Sequence, residues 1–133
     1  MFKLTSLNLN GIRSASSKGL EAWLAKTAPD CMGVQEVKAQ AEDVQGRFEQ
    51  LAGLQGYFHF AEKKGYSGVG LYTRLEPSDV RTGYGSGEFD AEGRYVELRF
   101  DLLHANTIGI DLSNPGLHPF GGRRTNAVQV QAA

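Results

Sequence analysis

Apolar and polar positions alternate over residues 2–9. Phe2, Leu4, Ser6 and Asn8 fall on one face, and Lys3, Thr5, Leu7 and Leu9 on the other. That period of two predicts a strand, closed by Gly11. Ser16 or Ser17 then offers an N-cap, and Leu20, Trp23, Leu24 and Thr27 recur at helical spacing until Pro29 and Asp30 stop the helix. Residues 31–35 are a short, nearly unbroken apolar run, the pattern of a strand covered on both faces. Residues 1–35 therefore predict a strand–helix–strand unit with parallel strands.

A second helix is predicted over 41–51, with Val44, Phe48 and Leu51 on one side and Gly53 and Gly56 closing it. Strands follow at 57–61, 68–73, 79–82 and 95–100. A charged turn over 62–67 separates the first two, and a loop over 83–93 with four glycines separates the last two. Residues 107–112 are expected to pair with the 95–100 strand. From Ser113 onward, Asn114-Pro115-Gly116, Pro119, Gly121-Gly122 and Arg123-Arg124 leave no usable period, so 113–133 reads as a divergent loop or disordered tail.

Composition narrows the class. A chain of 133 residues, 41% hydrophobic and 22% charged, suits one globular domain and excludes disorder along its whole length. No stretch approaches the roughly 20 apolar residues of a membrane span. The single cysteine, Cys31, cannot form an internal disulfide, and residues 2–9 lack a signal pattern, so a cytoplasmic location is expected. The net charge of −1 argues against a protein that coats DNA. It leaves room for a nuclease, in which acidic metal ligands offset the Lys and Arg that touch phosphate.

Four segments carry candidate chemistry. In Asn8-Leu9-Asn10-Gly11 both asparagines point to one side at the C-terminal end of a strand, the edge where open α/β sheets bind ligands. An Asn amide there can orient a water or donate to a phosphate oxygen, although Asn-Gly is also a tight-turn signal. Glu36 in Gln35-Glu36-Val37-Lys38 follows the buried run and reaches the same edge. A carboxylate near two asparagines suits Mg2+, with Lys38 adding a charge for phosphate; the plainer reading is a solvated acid opening a loop. Lys63-Lys64-Gly65-Tyr66-Ser67-Gly68-Val69-Gly70 could grip a nucleic-acid backbone or form an ordinary polar hairpin. Arg94, in Phe89-Asp90-Ala91-Glu92-Gly93-Arg94-Tyr95, could take a phosphate in bidentate fashion or pair with Asp90 or Glu92. His59, His104 and His118 have no metal-ligand spacing, and Cys31 reads as inert core.

Taken in order, Ser6-Leu7-Asn8-Leu9-Asn10-Gly11-Ile12-Arg13, Pro29-Asp30, Val34-Gln35-Glu36-Val37-Lys38-Ala39-Gln40, residues 62–70 and residues 88–95 resemble the exodeoxyribonuclease III family of apurinic/apyrimidinic endonucleases. The resemblance covers residues 1–101. It implies an α/β fold made of half of a two-sheet sandwich, a mixed sheet with flanking helices, over residues 1–112. It implies a Mg2+-dependent DNA-repair nuclease, with Mn2+ as the alternative ion, cutting duplex DNA at abasic sites and from 3′ ends. Asn8, Asn10 and Glu36 would be the catalytic residues, Glu36 and Asn8 the metal side, and Lys38, Lys63, Tyr66, Gly68 and Arg94 the DNA contacts. The family's Gly-Asp-x-Asn and C-terminal Ser-Asp-His motifs do not occur, so the chain is expected to be truncated and weak or inactive alone. The other readings are a non-catalytic DNA-binding fragment and a phosphoesterase of the same superfamily. The exposed face of half a sandwich would favour self-association.

Overall fold

The strand Leu4–Asn8 (β1) runs parallel to Cys31–Gln35 (β2), with Leu4 opposite Cys31 and Asn8 opposite Gln35. The computed structural model describes residues 3–85, 87–101 and 125–131. Two helices, Ile12–Ser17 (α1) and Leu20–Thr27 (α2), make the crossover. The second matches the predicted helix, but Ser16 and Ser17 end α1 instead of capping α2. The Ser17 hydroxyl donates back to the Arg13 carbonyl at 3.0 Å, so it is spent inside its own helix. Gly19 makes the break between the two helices.

The helix predicted over 41–51 lasts one turn, Ala41–Val44 (α3). Gly46 follows, a residue that costs about 1 kcal/mol relative to alanine inside a helix. Gln50–Leu51 (β3) instead forms a hairpin with Leu54–His59 (β4). Ala52 and Gly53 supply the two-residue turn with φ of +49° and +80°, the conformation that two-residue hairpin loops favour. Val69–Thr73 (β5) pairs antiparallel with both β4 and β2, giving the order β1-β2-β5-β4-β3.

A second, antiparallel sheet has the order β6-β7-β8, from Asp79–Thr82, Tyr95–Asp101 and Thr125–Gln131. A single helical turn, Gly87–Asp90 (α4), sits in the predicted glycine-rich loop. Strand β8 corrects the reading of residues 113–133 as loop or tail throughout. Its register places Val128 opposite Leu98 and Val130 opposite Val96, so its apolar alternation matches that of β7. The boundary at residue 112 and the expected pairing of 107–112 lie outside the described residues.

Two cores share the first sheet. On one face Leu9, Ile12, Leu20, Leu24, Met32 and Val34 pack with Phe48, Leu54 and Tyr72 under the helices. On the other, Cys31, Val69 and Leu71 meet Val96, Leu98 and Phe100 of the second sheet. Burying each such aliphatic or aromatic side chain contributes about 1.5–3 kcal/mol. The result is an α/β half-sandwich: a mixed five-stranded sheet with helices on one face and a smaller sheet on the other.

Two expectations follow. Glycine carries no Cβ penalty at positive φ, so Ala52→Gly should raise stability by about 0.5–1 kcal/mol, read as a higher urea midpoint. At the start of β2, burial pushes the Asp30 carboxyl up, but hydrogen bonds from Arg74 and the Lys3 N–H, with the Arg74 charge, outweigh it and hold it below the ordinary value. A depressed carboxyl stabilises fully above its unfolded value of about 3.9, and that stability disappears as pH falls through the folded one. Acidification from neutral pH should therefore lower the urea midpoint of the native chain more than that of Asp30→Asn.

Candidate active site

At one end of the first sheet the chain leaves β1 and β2 side by side, and the two exits remain hydrogen-bonded. The Leu9, Gly11 and Ile12 N–H groups donate to the Gln35, Glu36 and Val37 carbonyls at 2.9, 2.8 and 2.9 Å. The segment before β5 joins them, since Val37 N–H donates to Gly68 O at 3.0 Å and Lys38 N–H to Ser67 O at 2.8 Å. The structure therefore gathers Asn8, Asn10, Glu36, Lys38 and Gly68 around one point.

The side chains there form a linked set. Asn8 hydrogen-bonds the Glu36 carboxylate, and this bond, with the nearby Lys38, holds the carboxyl below its ordinary range. Asn8 Oδ1 accepts the Asn10 N–H at 3.0 Å. Lys38 Nζ donates to Asn10 Oδ1 at 2.6 Å and lies 3.5 Å from Glu36 Oε2. Glu36 keeps 45% of its side-chain surface open to solvent, so an ionised carboxylate is presented outward. Asn10, Glu36 and Lys38 all adopt positive φ, between +46° and +51°. Such backbone is strained for residues with a Cβ and clusters at functional sites.

A rim of cations and aromatics borders this set. Lys63 Nζ lies 5.5 Å from the centre of the Tyr66 ring, within range for a cation–π contact. Arg94 donates to the Tyr66 hydroxyl at 3.1 Å and also pairs with Glu92. Of the two carboxylates the sequence offers Arg94, Glu92 holds it, while Asp90 turns instead to the Tyr84 and Gly85 N–H groups at 2.6 and 3.1 Å.

Three residues given no role in the sequence reading hold these loops together. Gln40 Nε2 donates to the Ala61 carbonyl at 2.9 Å, tying the Glu36 loop to the Lys63 loop. His59 Nδ1 accepts the Tyr95 N–H at 3.3 Å, joining the two sheets beside Arg94. Gly93, at φ +61°, lies so close to residues 59–61 that a Cβ there would stand 2.4 Å from the Ala61 nitrogen. Only the glycine had a local signal in the sequence; the partners of Gln40 and His59 are distant along the chain.

The chain matches the endonuclease/exonuclease/phosphatase family over residues 5–133, past the point where the motif resemblance ends. It belongs to that family. The exodeoxyribonuclease of Bacillus subtilis is 34% identical over 116 residues, covering 86% of this chain and 45% of its own. The DNA repair nuclease APEX1 of Danio rerio is 30% identical over 135 aligned residues, covering 98% and 43% respectively. An AP endonuclease structure from Archaeoglobus fulgidus superposes with a TM-score of 0.62 at 29% identity, covering 74% of this chain and 37% of that one. The chain thus spans less than half the length of these family members.

In this member of the endonuclease/exonuclease/phosphatase family, Gly93→Ala should separate the Arg94 loop from residues 59–61. Overpacking of this kind typically costs about 1–3 kcal/mol, so the thermal midpoint should fall by about 5 °C or more. An unchanged midpoint would show that the close approach is not needed.

Proposed function

We propose that the chain carries the first half of a divalent-metal-dependent phosphodiesterase site for DNA repair, acting on duplex DNA at abasic sites or 3′ ends. The observation that carries this is the convergence of Glu36, Asn8, Asn10 and Lys38 at one sheet end beside the Lys63–Tyr66–Arg94 rim. Its similarity to an exodeoxyribonuclease and to the DNA repair nuclease APEX1 supports it.

The donor set suits a hard cation: one exposed carboxylate and two amide side chains, all offering oxygen. Glu36 would hold Mg2+, or Mn2+ in its place, with Asn8 beside it. A bound ion of this kind neutralises charge on a phosphoryl oxygen. The chain's own residues do the rest. Asn8 orients Glu36 and keeps it ionised. Lys38 fixes Asn10 and adds positive charge. Lys63, Tyr66, the backbone at Gly68 and Arg94 hold the nucleic-acid strand. Asn8 and Asn10 are amides that do not exchange protons near neutral pH, and Glu36 is held ionised, so none of the three serves as a general acid; the chain is weak or inactive alone. A non-catalytic phosphate-binding role is the second reading, favoured by the Lys38 ammonium, which already partly neutralises Glu36.

No helix among the described residues is long and apolar enough to cross a membrane. A cytoplasmic location belongs to the same proposal. Burial, then the neighbouring Asp30, pushes the Cys31 thiol up to about 12, which leaves it unreactive.

The test is a labelled duplex with one abasic site, offered to the chain with Mg2+ or with EDTA. We expect binding that weakens steeply with salt and little or no cutting. Lys63→Ala and Arg94→Ala should each weaken binding and reduce the salt slope by about one. Strong Mg2+-dependent cutting, lost in Glu36→Ala, would show that the chain alone assembles a working site. Salt-independent binding, or none, would remove DNA from the reading.

A further inference from the structure

The Lys63–Tyr66 stretch of the rim is an exposed loop, with every residue from 62 to 66 open to solvent. Its position is therefore set at its two ends. At one end the Ser67 and Gly68 carbonyls accept the Lys38 and Val37 N–H groups, which ties the loop to the Glu36 segment through backbone. At the other end a side chain makes the tie. Gln40 Nε2 donates to the Ala61 carbonyl at 2.9 Å and points to the Lys63 carbonyl at 3.5 Å. The same residue caps α3: its side chain accepts the Asp43 N–H, and its own N–H donates to Asp43 Oδ2 at 2.9 Å. A cap needs only a short oxygen-bearing side chain, and serine, threonine, aspartate and asparagine are the preferred residues. The extra length and the amide donor of glutamine serve the reach to residues 61–63. That segment is held on its far side as well. Ala61 is 1% exposed, Glu62 N–H donates to Ala91 O at 2.8 Å, and Gly93 lies against the Ala61 nitrogen.

We propose that Gln40 is a positioning residue for nucleic-acid binding. It fixes Lys63 and Tyr66 relative to Glu36, so that a strand gripped by the rim brings its phosphate to the carboxylate side. This rests on the half-site reading above. Without the Gln40 donor the buried Ala61 carbonyl loses that partner, and the loop keeps only its Ser67–Gly68 tie to the Glu36 segment. Lys63 then samples positions from which it no longer meets phosphate. The loss travels through Lys63, not through α3.

The experiment measures binding of the full chain to a labelled abasic duplex over a range of salt, with Mg2+ present. Gln40→Asn keeps a capping oxygen but falls short of Ala61, and Gln40→Met keeps the length without the donor. Circular dichroism checks each fold, and a fold lost in one leaves the other. We expect each to weaken binding about fivefold and to lower the salt slope by about one, as removal of one phosphate contact does. Combined with Lys63→Ala, each should cost far less than the product of the single effects, because both act on one contact. Asp43→Ala breaks the other half of the capping box, leaves the Ala61 bond, and should leave the slope unchanged. Unchanged affinity, or full additivity with Lys63→Ala, overturns the positioning role and leaves the half-site reading standing. So does an equal loss in Asp43→Ala, which would assign the effect to α3. If the native chain binds no duplex, the half-site reading falls and hydrogen exchange decides the positioning. Exchange over residues 61–67 that is no faster in Gln40→Asn overturns it; faster exchange confined there upholds it.

Discussion

The parallel hydrogen-bonded exit of β1 and β2 is the constraint on which the rest depends. Strand side chains alternate between faces, so a slip of one residue would send Asn8 and Glu36 to opposite sides of the sheet. Three backbone bonds beyond the strand ends, from Leu9 to Gln35, Gly11 to Glu36 and Ile12 to Val37, prevent it. Ile12 and Val37, both fully buried, anchor the same stretch from below. The polar groups at the surface are therefore held by an apolar layer directly beneath them.

That anchoring bears a load. Asn10, Glu36, Lys38 and Ser67 hold positive φ at the candidate site, while the other such non-glycine residues among the described ones, Ala28 and Ala52, lie at a helix end and a hairpin turn. Strained residues cost about 1–3 kcal/mol each and persist only when their surroundings over-determine them. Here the surroundings are the two cores on either face of β2, where Met32 and Val34 point one way and Cys31 the other. Their stability offsets the strain at Glu36 and Lys38.

The second sheet has its own polar device. Glu97 is 3% exposed and receives the Tyr95 hydroxyl at 2.6 Å and Arg99 Nε at 2.5 Å. Burial, and then its bond to Glu97, raises the Tyr95 phenol to about 12. A buried carboxylate is tolerable only when its lone pairs are met, and these partners come from alternate residues of one strand. The sheet thus keeps the register that brings Tyr95 N–H to His59 and Arg94 to Tyr66.

Much of this was legible from local pattern. The period of two in residues 2–9, the apolar run at 31–35 and the break at Pro29-Asp30 determined the parallel unit, because alternation and burial are properties of neighbouring residues. They also placed Asn8 and Glu36 at one sheet edge. Other features needed the folded chain. The helix expected over 41–51 yielded to a hairpin because Leu54 of β4 offered Leu51 a partner strand. Residues 125–131 became a strand because β7 presented a matching row. The bonds of Lys38 to Asn10, Gln40 to Ala61 and Arg94 to Tyr66 join residues 28, 21 and 28 positions apart. Sequence by itself determined the parallel strand–helix–strand unit and brought Asn8 and Glu36 to one edge of its sheet. Only tertiary structure decided which side chains touch, because those contacts depend on how the loops close over the cores.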